Sequence, residues 1–254
     1  MDFINKVVVV TGASSGIGAD AAVMFAKQSA KVVLVGRNEQ ALNQIAEQCE
    51  LAKGIKPLIV IADVTNDHDL ENIITQTIET FGGIDVLVNN AGVGFNGSIR
   101  DGVELFDRAI SCNLRSAYLL TSLATPYLVK NKGNVVNVSS VAAMRPIKDI
   151  PFLPYCISKA GMDMFTKCLA LELGRDGVRV NSVNPGGTKT PFIEAAGFSK
   201  EDADKLVEHR NKFYPLRKMA ESEEVADLIL YLSSDRARSI TGSIFVIDNG
   251  EMLV

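Results

Sequence analysis

The chain has 254 residues, 47% of them hydrophobic and 22% charged, and 26 basic against 30 acidic residues give a formal net charge of −4 at pH 7. That length suits one large α/β domain or two small ones, since a domain runs to roughly 150 residues and an α/β domain to about 250. The composition excludes a disordered chain, a collagen-like repeat and a disulfide-dense scaffold. The mild acidity argues against a nucleic-acid partner, because nucleic-acid-binding proteins usually present a basic face.

Short apolar runs alternate with helical patterns along the whole chain. The runs are rich in Val and Ile, as strands buried on both faces are. They predict strands at residues 6–11, 31–36, 57–62, 86–89, 133–139, 179–184 and 244–247. Helices are predicted between them at 16–29, 38–53, 66–81, 104–130, 155–174 and 222–233. This order predicts an α/β fold: a single doubly wound, Rossmann-type domain over residues 1–254, with a parallel seven-stranded sheet and helices on both faces.

One long stretch, residues 185–215, lies between regular elements and contains a charged helical patch at 199–211. Long loops in compact domains usually serve as lids or binding segments, so we expect a substrate loop here.

The start of the chain and its cysteines favour a cytoplasmic protein. Residues 1–10 lack the basic and apolar regions of a signal peptide. No apolar run approaches the roughly 18 residues of a membrane-spanning helix, so no membrane association is expected. The cysteines lack zinc-site spacing, and we expect free thiols and no metal.

A glycine turn follows the first predicted strand. Thr11–Gly18 has the spacing G-x-x-x-G-x-G and leads into a helix. Glycines permit a sharp turn and a close approach to phosphate, and the free N–H groups of the helix start favour an anion. The alternatives are a purely structural turn and a hydrolase nucleophile elbow, since Gly12–Gly16 also matches G-x-S-x-G. A hydrolase would need His68 or His209 to activate Ser14, and both histidines lie among polar residues.

The end of the second strand bears on cofactor choice. A carboxylate about 20 residues past the glycine turn would bond the ribose 2′-hydroxyl of NAD. Here Arg37 stands 19 residues after Gly18 (37 − 18), between Gly36 and Asn38. A guanidinium suits a 2′-phosphate, so NADP(H) is favoured and NAD(H) is the alternative. A solvated surface arginine is the other interpretation.

Tyr155 and Lys159 complete a set of motifs that resembles the short-chain dehydrogenase/reductase family over essentially the whole chain. Their i, i+4 spacing places both side chains on one helix face. The other matching segments are the glycine turn, Asp63, Asn89-Asn90-Ala91-Gly92, Asn113, Asn137-Val138-Ser139-Ser140, Asn184-Pro185-Gly186 and Asp248-Asn249-Gly250.

The resemblance implies a proton-transfer site. Tyr155 would exchange a proton with the carbonyl oxygen, and Ser140, rather than Ser139, would hydrogen-bond that oxygen. Lys159 would hold the nicotinamide ribose, and its ammonium, together with the positive nicotinamide ring of the oxidised cofactor, is expected to lower the pKa of Tyr155. Asn113 would complete a proton relay through water. The interval from Ser140 to Tyr155 is 15 residues (155 − 140), longer than usual in the family, which predicts a short insertion within 141–154.

The resemblance also implies the cofactor contacts. Besides Tyr155 and Lys159, they are Gly12, Ser14, Ser15, Ile17, Gly18, Arg37, Asn38, Asp63, Val64, Asn90, Ala91, Gly92, Pro185, Gly186, Thr188 and Thr190. Related NADP-dependent enzymes often carry a second basic residue where this chain has Ser15, which leaves strict NADP selectivity open.

The implied function is an NADP(H)-dependent oxidoreductase acting on a carbonyl/alcohol pair. The alternative is a binding or regulatory protein of the same fold without turnover. A hydrophobic ketone or secondary alcohol (steroid, terpenoid or 3-oxoacyl type) is expected as substrate, and family habit implies a homodimer or homotetramer. The expected substrate walls are Val93, Phe95, Ala142, Met144, Phe152, Leu153, Phe192, Phe198 and Tyr214.

Overall fold

The computed structural model describes residues 3–53, 55–147 and 151–254. Its strands are β1 (Val7–Thr11), β2 (Lys31–Gly36), β3 (Leu58–Ile61), β4 (Val86–Asn89), β5 (Asn134–Val138), β6 (Arg179–Pro185), β7 (Thr188–Lys189), β8 (Ala220–Glu221) and β9 (Ile244–Ile247). Its α-helices are α1 (Gly16–Lys27), α2 (Glu39–Lys53), α3 (Asp67–Phe81), α4 (Glu104–Ile110), α5 (Ser116–Asn131), α6 (Leu153–Leu173), α7 (Phe192–Ala195), α8 (Lys200–Phe213) and α9 (Ser222–Ser233).

Seven strands form one parallel sheet in the order β3-β2-β1-β4-β5-β6-β9. The strand order reverses between β1 and β4, which opens a crevice at the carboxyl ends of the strands where such sheets bind ligands. The predicted doubly wound fold is confirmed.

The two faces of the sheet are covered by different helices. Side chains alternate along a strand, so Val8 and Val10 of β1 pack in the layer with α1, α2 and α9. Val7 and Val9 pack on the opposite face in the layer with α3, α5 and α6. A strand buried on both faces needs a continuous apolar run, which is why Val7–Val10 contains four valines.

The predicted helix at 104–130 is interrupted. The backbone forms a π-helical turn at Ser111–Arg115, between α4 and α5. Such turns inside α-helices often mark functional sites. Asn113 lies within this turn.

The predicted substrate loop contains more structure than expected. Besides the charged helix α8, it holds the short helix α7 and the strand β7, which pairs with β8. Within the described residues, no helix is long and apolar enough to cross a membrane, and no group of His, Cys, Asp or Glu could hold a metal ion.

Candidate active site

A cavity of about 680 Å³ lies along the carboxyl ends of the central strands. It extends from the glycine turn and Arg37 to Tyr155 and on to the α7–α8 segment. Seventeen predicted site residues line it: Gly12, Ser14, Ser15, Ile17, Arg37, Asp63, Val64, Asn90, Ala91, Gly92, Ser140, Tyr155, Lys159, Pro185, Gly186, Thr188 and Thr190. Residues from distant motifs therefore meet in one cavity.

The glycine turn is held against the loop after β4. Gly12 and Gly16 have φ angles of 67° and 53°, a left-handed conformation that glycine tolerates. Asn90 Nδ2 donates to Thr11 O at 2.9 Å, and the Thr11 hydroxyl accepts from Asn90 N at 3.0 Å. Gly18 packs behind the turn and is absent from the described lining residues.

Gly18→Ala is expected to destabilise the protein, because a Cβ there would lie 2.4 Å from both Asn90 Nδ2 and Gly12 O. Overpacking of this kind costs about 1–3 kcal/mol. Urea unfolding of the purified variant measures the loss. The matched control is Gly174→Ala, since a Cβ at Gly174 meets nothing within 4 Å. Equal stability of the two variants would contradict the packing role of Gly18.

Arg37 and Asp63 face each other at one end of the cavity. Arg37 Nη1 lies 3.6 Å from Asp63 Oδ2, and the Arg37 side chain is 73% exposed. Burial by itself would raise the pKa of Asp63, but hydrogen bonds from Thr65 and the charge of Arg37 outweigh it and lower the pKa. Arg37 is thus available to an incoming anion.

Asn38 does not line the cavity as expected. It is exposed, and its Oδ1 accepts a hydrogen bond from Ala41 N at 3.0 Å, at the start of α2. An asparagine in this position satisfies a free N–H of the helix start.

The residues of the predicted proton-transfer site converge from β5 and α6. Tyr155, Lys159 and Ser140 are 7%, 4% and 8% exposed. The Ser140 hydroxyl is in hydrogen-bond reach of Tyr155. Lys159 Nζ donates to Val138 O at 2.8 Å and lies 5.7 Å from the centre of the Tyr155 ring. Ser139 Oγ instead donates to Lys159 O at 3.1 Å.

The prediction that Lys159 lowers the pKa of Tyr155 is wrong for the protein by itself. Burial raises the pKa of Tyr155 to about 12, although the hydrogen bond with Ser140 acts in the opposite direction. Burial also lowers the pKa of Lys159 to about 8. The low dielectric around both groups disfavours their charged forms. The phenol is therefore protonated at neutral pH, as a proton donor must be.

Asn113 braces the wall of the cavity rather than lining it. Its side chain is fully buried and accepts from Val93 N at 2.8 Å through Oδ1. Its Nδ2 donates to Val93 O and to Ser158 Oγ, both at 2.9 Å. The side chain thus ties the segment after β4 to α6.

Arg210 and Glu251 also line the cavity, and sequence analysis missed both. Glu251 Oε2 accepts from Gly187 N and from the Tyr214 hydroxyl, each at 2.8 Å. Arg210 Nη1 lies 3.8 Å from Glu251 Oε1. The C-terminal turn therefore contacts the loop after β6 and helix α8. In the sequence, Arg210 was marked only by its place in the charged patch at 199–211, and Glu251 only by its position directly after Asp248-Asn249-Gly250.

Four of the nine residues that were expected to form the wall of the substrate site line the cavity. They are Val93, Phe95, Phe152 and Phe192, whereas Ala142, Met144, Leu153, Phe198 and Tyr214 are not among the lining residues. The rings of Phe192 and Phe152 lie 5.4 and 5.8 Å from that of Tyr155. The residues 148–150, inside the predicted insertion, lie outside the described residues.

The hydrolase alternative finds no support. His68 and His209 are exposed, and neither is among the described residues that line the cavity with Ser14. His209 packs against Phe213 on α8, with ring centres 4.8 Å apart.

Comparisons with known proteins show which family this chain belongs to. A family model described as Enoyl-(Acyl carrier protein) reductase matches residues 12–251. A short-chain dehydrogenase/reductase of unknown function from Caenorhabditis elegans, solved with cofactor, superposes with a TM-score of 0.93 at 35% identity, covering 99% of this chain and 97% of that chain. The chain belongs to the short-chain dehydrogenase/reductase family.

Named reductases are among its relatives in this family. L-xylulose reductase of C. elegans is 37% identical over 98% of this chain and 96% of that protein. L-Sorbose reductase from Gluconobacter frateurii, solved with NADPH and L-sorbose, has a TM-score of 0.92 at 31% identity, covering 100% of this chain and 99% of that chain. The protein is thus an oxidoreductase of a family that acts on alcohol and carbonyl groups.

Proposed function

We propose that this oxidoreductase uses NADP(H) to interconvert a carbonyl compound and its alcohol, with a hydrophobic ketone or secondary alcohol as substrate. The observation that supports this most strongly is the convergence of Ser140, Tyr155 and Lys159 on a cavity that also reaches Arg37. A binding protein without turnover would not need a buried, protonated tyrosine at this point.

The chain's residues fit a dinucleotide. The turn at Gly12 and Gly16 brings the start of α1 to the cavity, and the free N–H groups of a helix start suit a pyrophosphate. A Cβ at Gly16 would lie 2.9 Å from the Thr190 side chain, so only glycine leaves room between the turn and the loop after β6. Bound NADPH supplies the hydride.

Proton delivery then falls to the protein. The Tyr155 phenol donates its proton to the carbonyl oxygen as hydride reaches the carbon, and the Ser140 hydroxyl hydrogen-bonds the same oxygen. Lys159 holds the nicotinamide ribose, and Asn113 supports a water relay beneath it. In alcohol oxidation the phenolate form acts as base, so we propose that oxidation accelerates as pH rises.

We propose that Arg37 selects NADPH because its guanidinium binds the 2′-phosphate. The NADPH bound to the related L-sorbose reductase supports this proposal. Arg37→Ala is expected to raise the KM for NADPH about 10- to 100-fold, because the variant loses a charge-assisted contact with the phosphate. The KM for NADH should change little. Steady-state kinetics with one carbonyl substrate measures both, with the exposed Arg238→Ala as control. Equal losses with both cofactors would refute this role.

The aromatic side chains around Tyr155 favour a hydrophobic substrate. Ile147, Ile193 and Leu206 extend the apolar wall, while Arg210 and Glu251 supply polar groups. Relatives that act on sugars make ketoses the main competing class. A panel of hydrophobic ketones and ketoses, assayed by NADPH absorbance with NADH alongside, tests the choice. Absence of turnover with every carbonyl would favour the binding-protein alternative.

The assembly proposed is a homodimer or homotetramer through α4–α5 and α6. Tyr118, Met164 and Leu171 on these helices are 62%, 58% and 82% exposed. Burying such side chains against a second copy would remove them from water. Light scattering of the purified protein measures the mass directly. We further propose that residues 1–254 form one domain and that the protein works in the cytoplasm.

A further inference from the structure

Asp163 is a buried carboxylate behind the active site that none of the family motifs includes. It lies on α6, one turn beyond Lys159 and two turns beyond Tyr155, and is 8% exposed. Carboxylates are rarely buried unless they are paired, because burial disfavours the charge. Within the described part of the chain, no cation forms an ion pair with it. Its hydrogen-bond partners are instead the neutral side chains of Ser182 and Asn184.

Asn184 connects Asp163 to the backbone of Ser140. Asn184 Nδ2 donates to Asp163 Oδ2 at 2.8 Å and to Ser140 O at 3.0 Å. Its Oδ1 accepts from Ser182 Oγ at 2.7 Å. An asparagine side chain can present its amide in two orientations, and its partners decide between them. The Asp163 carboxylate accepts but cannot donate when ionised, so it selects the orientation that directs Nδ2 to the Ser140 carbonyl.

Asp163 also acts on Lys159. Burial lowers the pKa of Lys159 to about 8, while Cys112 and Asp163 act in the opposite direction. The charged or titratable groups around Lys159 are Cys112 from the π-helical turn and Tyr155 and Asp163 from α6. Around Asp163 the only other charge described is Lys167, on the same helix. Burial raises the pKa of Asp163, against the hydrogen bonds from Ser139, Asn184 and Ser182.

We propose that Asp163 is a further positioning residue for the reaction: it orients Asn184, which in turn fixes the backbone of Ser140. This inference rests on the proposed function of Ser140, Tyr155 and Lys159. Asp163 acts through these residues and is not among those that line the cavity.

Asp163→Asn tests the proposal, because it keeps the shape of the side chain and removes its charge. We expect kcat for carbonyl reduction to fall about 10- to 100-fold, because the loss of a contact made in the transition state lowers kcat by about this factor. The KM and Kd for NADPH should stay within about twofold, since Asp163 is not among the residues that line the cavity.

Thr166→Val is the matched control. Thr166 is fully buried on the same helix and bonds Asn137 at 2.9 Å, outside the Asp163 network. It should lower stability and leave kcat near that of the unmodified protein. A kcat for Asp163→Asn within twofold of that of the unmodified protein would overturn the proposal.

Asp163→Leu covers the case in which Asp163→Asn fails to fold, because an apolar side chain of similar shape carries no buried charge. It removes the acceptor of the Asn184 Nδ2 hydrogen bond, so kcat should fall as in Asp163→Asn. A kcat for Asp163→Leu within twofold of that of the unmodified protein would refute the positioning role. If instead Tyr155→Phe retains turnover, the proposed function itself fails, so the two failures are distinguishable.

Discussion

Replacing Tyr155 by Phe is expected to lower kcat for carbonyl reduction by about three orders of magnitude. The substitution removes the hydroxyl that is proposed to deliver the proton and keeps the ring that packs against Phe152 and Phe192. Burial raises the pKa of Tyr155 to about 12, so the phenol is protonated throughout the neutral range. Initial rates of NADPH consumption at saturating cofactor measure the effect.

Two controls make this result specific. NADPH binding, followed by its fluorescence, should be nearly unchanged in Tyr155→Phe, because the ring remains in place. Tyr118→Phe removes the hydroxyl of a tyrosine that is 62% exposed on α5, and it should leave kcat unaltered. Turnover of Tyr155→Phe at a rate near that of the unmodified protein would eliminate this tyrosine as the proton donor.

Lys159→Met is expected to abolish most turnover and yet stabilise the protein in the absence of cofactor. Burial lowers the pKa of Lys159 from 10.5 to about 8. The cost of the buried ammonium is therefore fully present below pH 8 and disappears as pH rises from about 8 to 10.5. The shift corresponds to about 3 kcal/mol, and the lost hydrogen bond to Val138 offsets about 1 kcal/mol of it.

The pH dependence of unfolding tests this prediction. The free energy of unfolding should rise by about 2 kcal/mol in Lys159→Met at pH 7, and the gain should shrink towards pH 10. Lys167→Met, at an exposed position on the same helix, is the control and should show neither effect. A loss of stability in Lys159→Met that is equal at both pH values would show that the ammonium carries no burial cost.

Strand positions were readable from the sequence because each central strand is a continuous apolar run. The predicted residues 86–89 and 244–247 coincide with β4 and β9. The predicted helix at 104–130 differs from the structure because its interruption depends on distant contacts. Asn113 bonds Val93 and Ser158, which are 20 and 45 residues away in the chain. Strands β7 and β8 have two residues each, too few for any period to show.

Motif spacing predicted seventeen of the residues that line the cavity, because the motifs mark turns and helix faces that the chain shares with its family. Arg210, Glu251 and Asp163 escaped detection. Each belongs to a helix or turn whose local pattern is that of an ordinary surface or core segment. Their importance arises from partners on other elements, such as Gly187 for Glu251 and Asn184 for Asp163.

The sequence by itself determined the order of strands and helices, the glycine turn, the pair Tyr155 and Lys159 and the membership of a family. These features depend on residues close together in the chain, where periodicity and spacing are visible. Only the tertiary structure decided that Asn38 caps a helix, that Asn113 braces the cavity wall and that burial raises the pKa of Tyr155. The physical reason is that desolvation and hydrogen bonding sum over all neighbours in space, and most of those neighbours are remote in sequence.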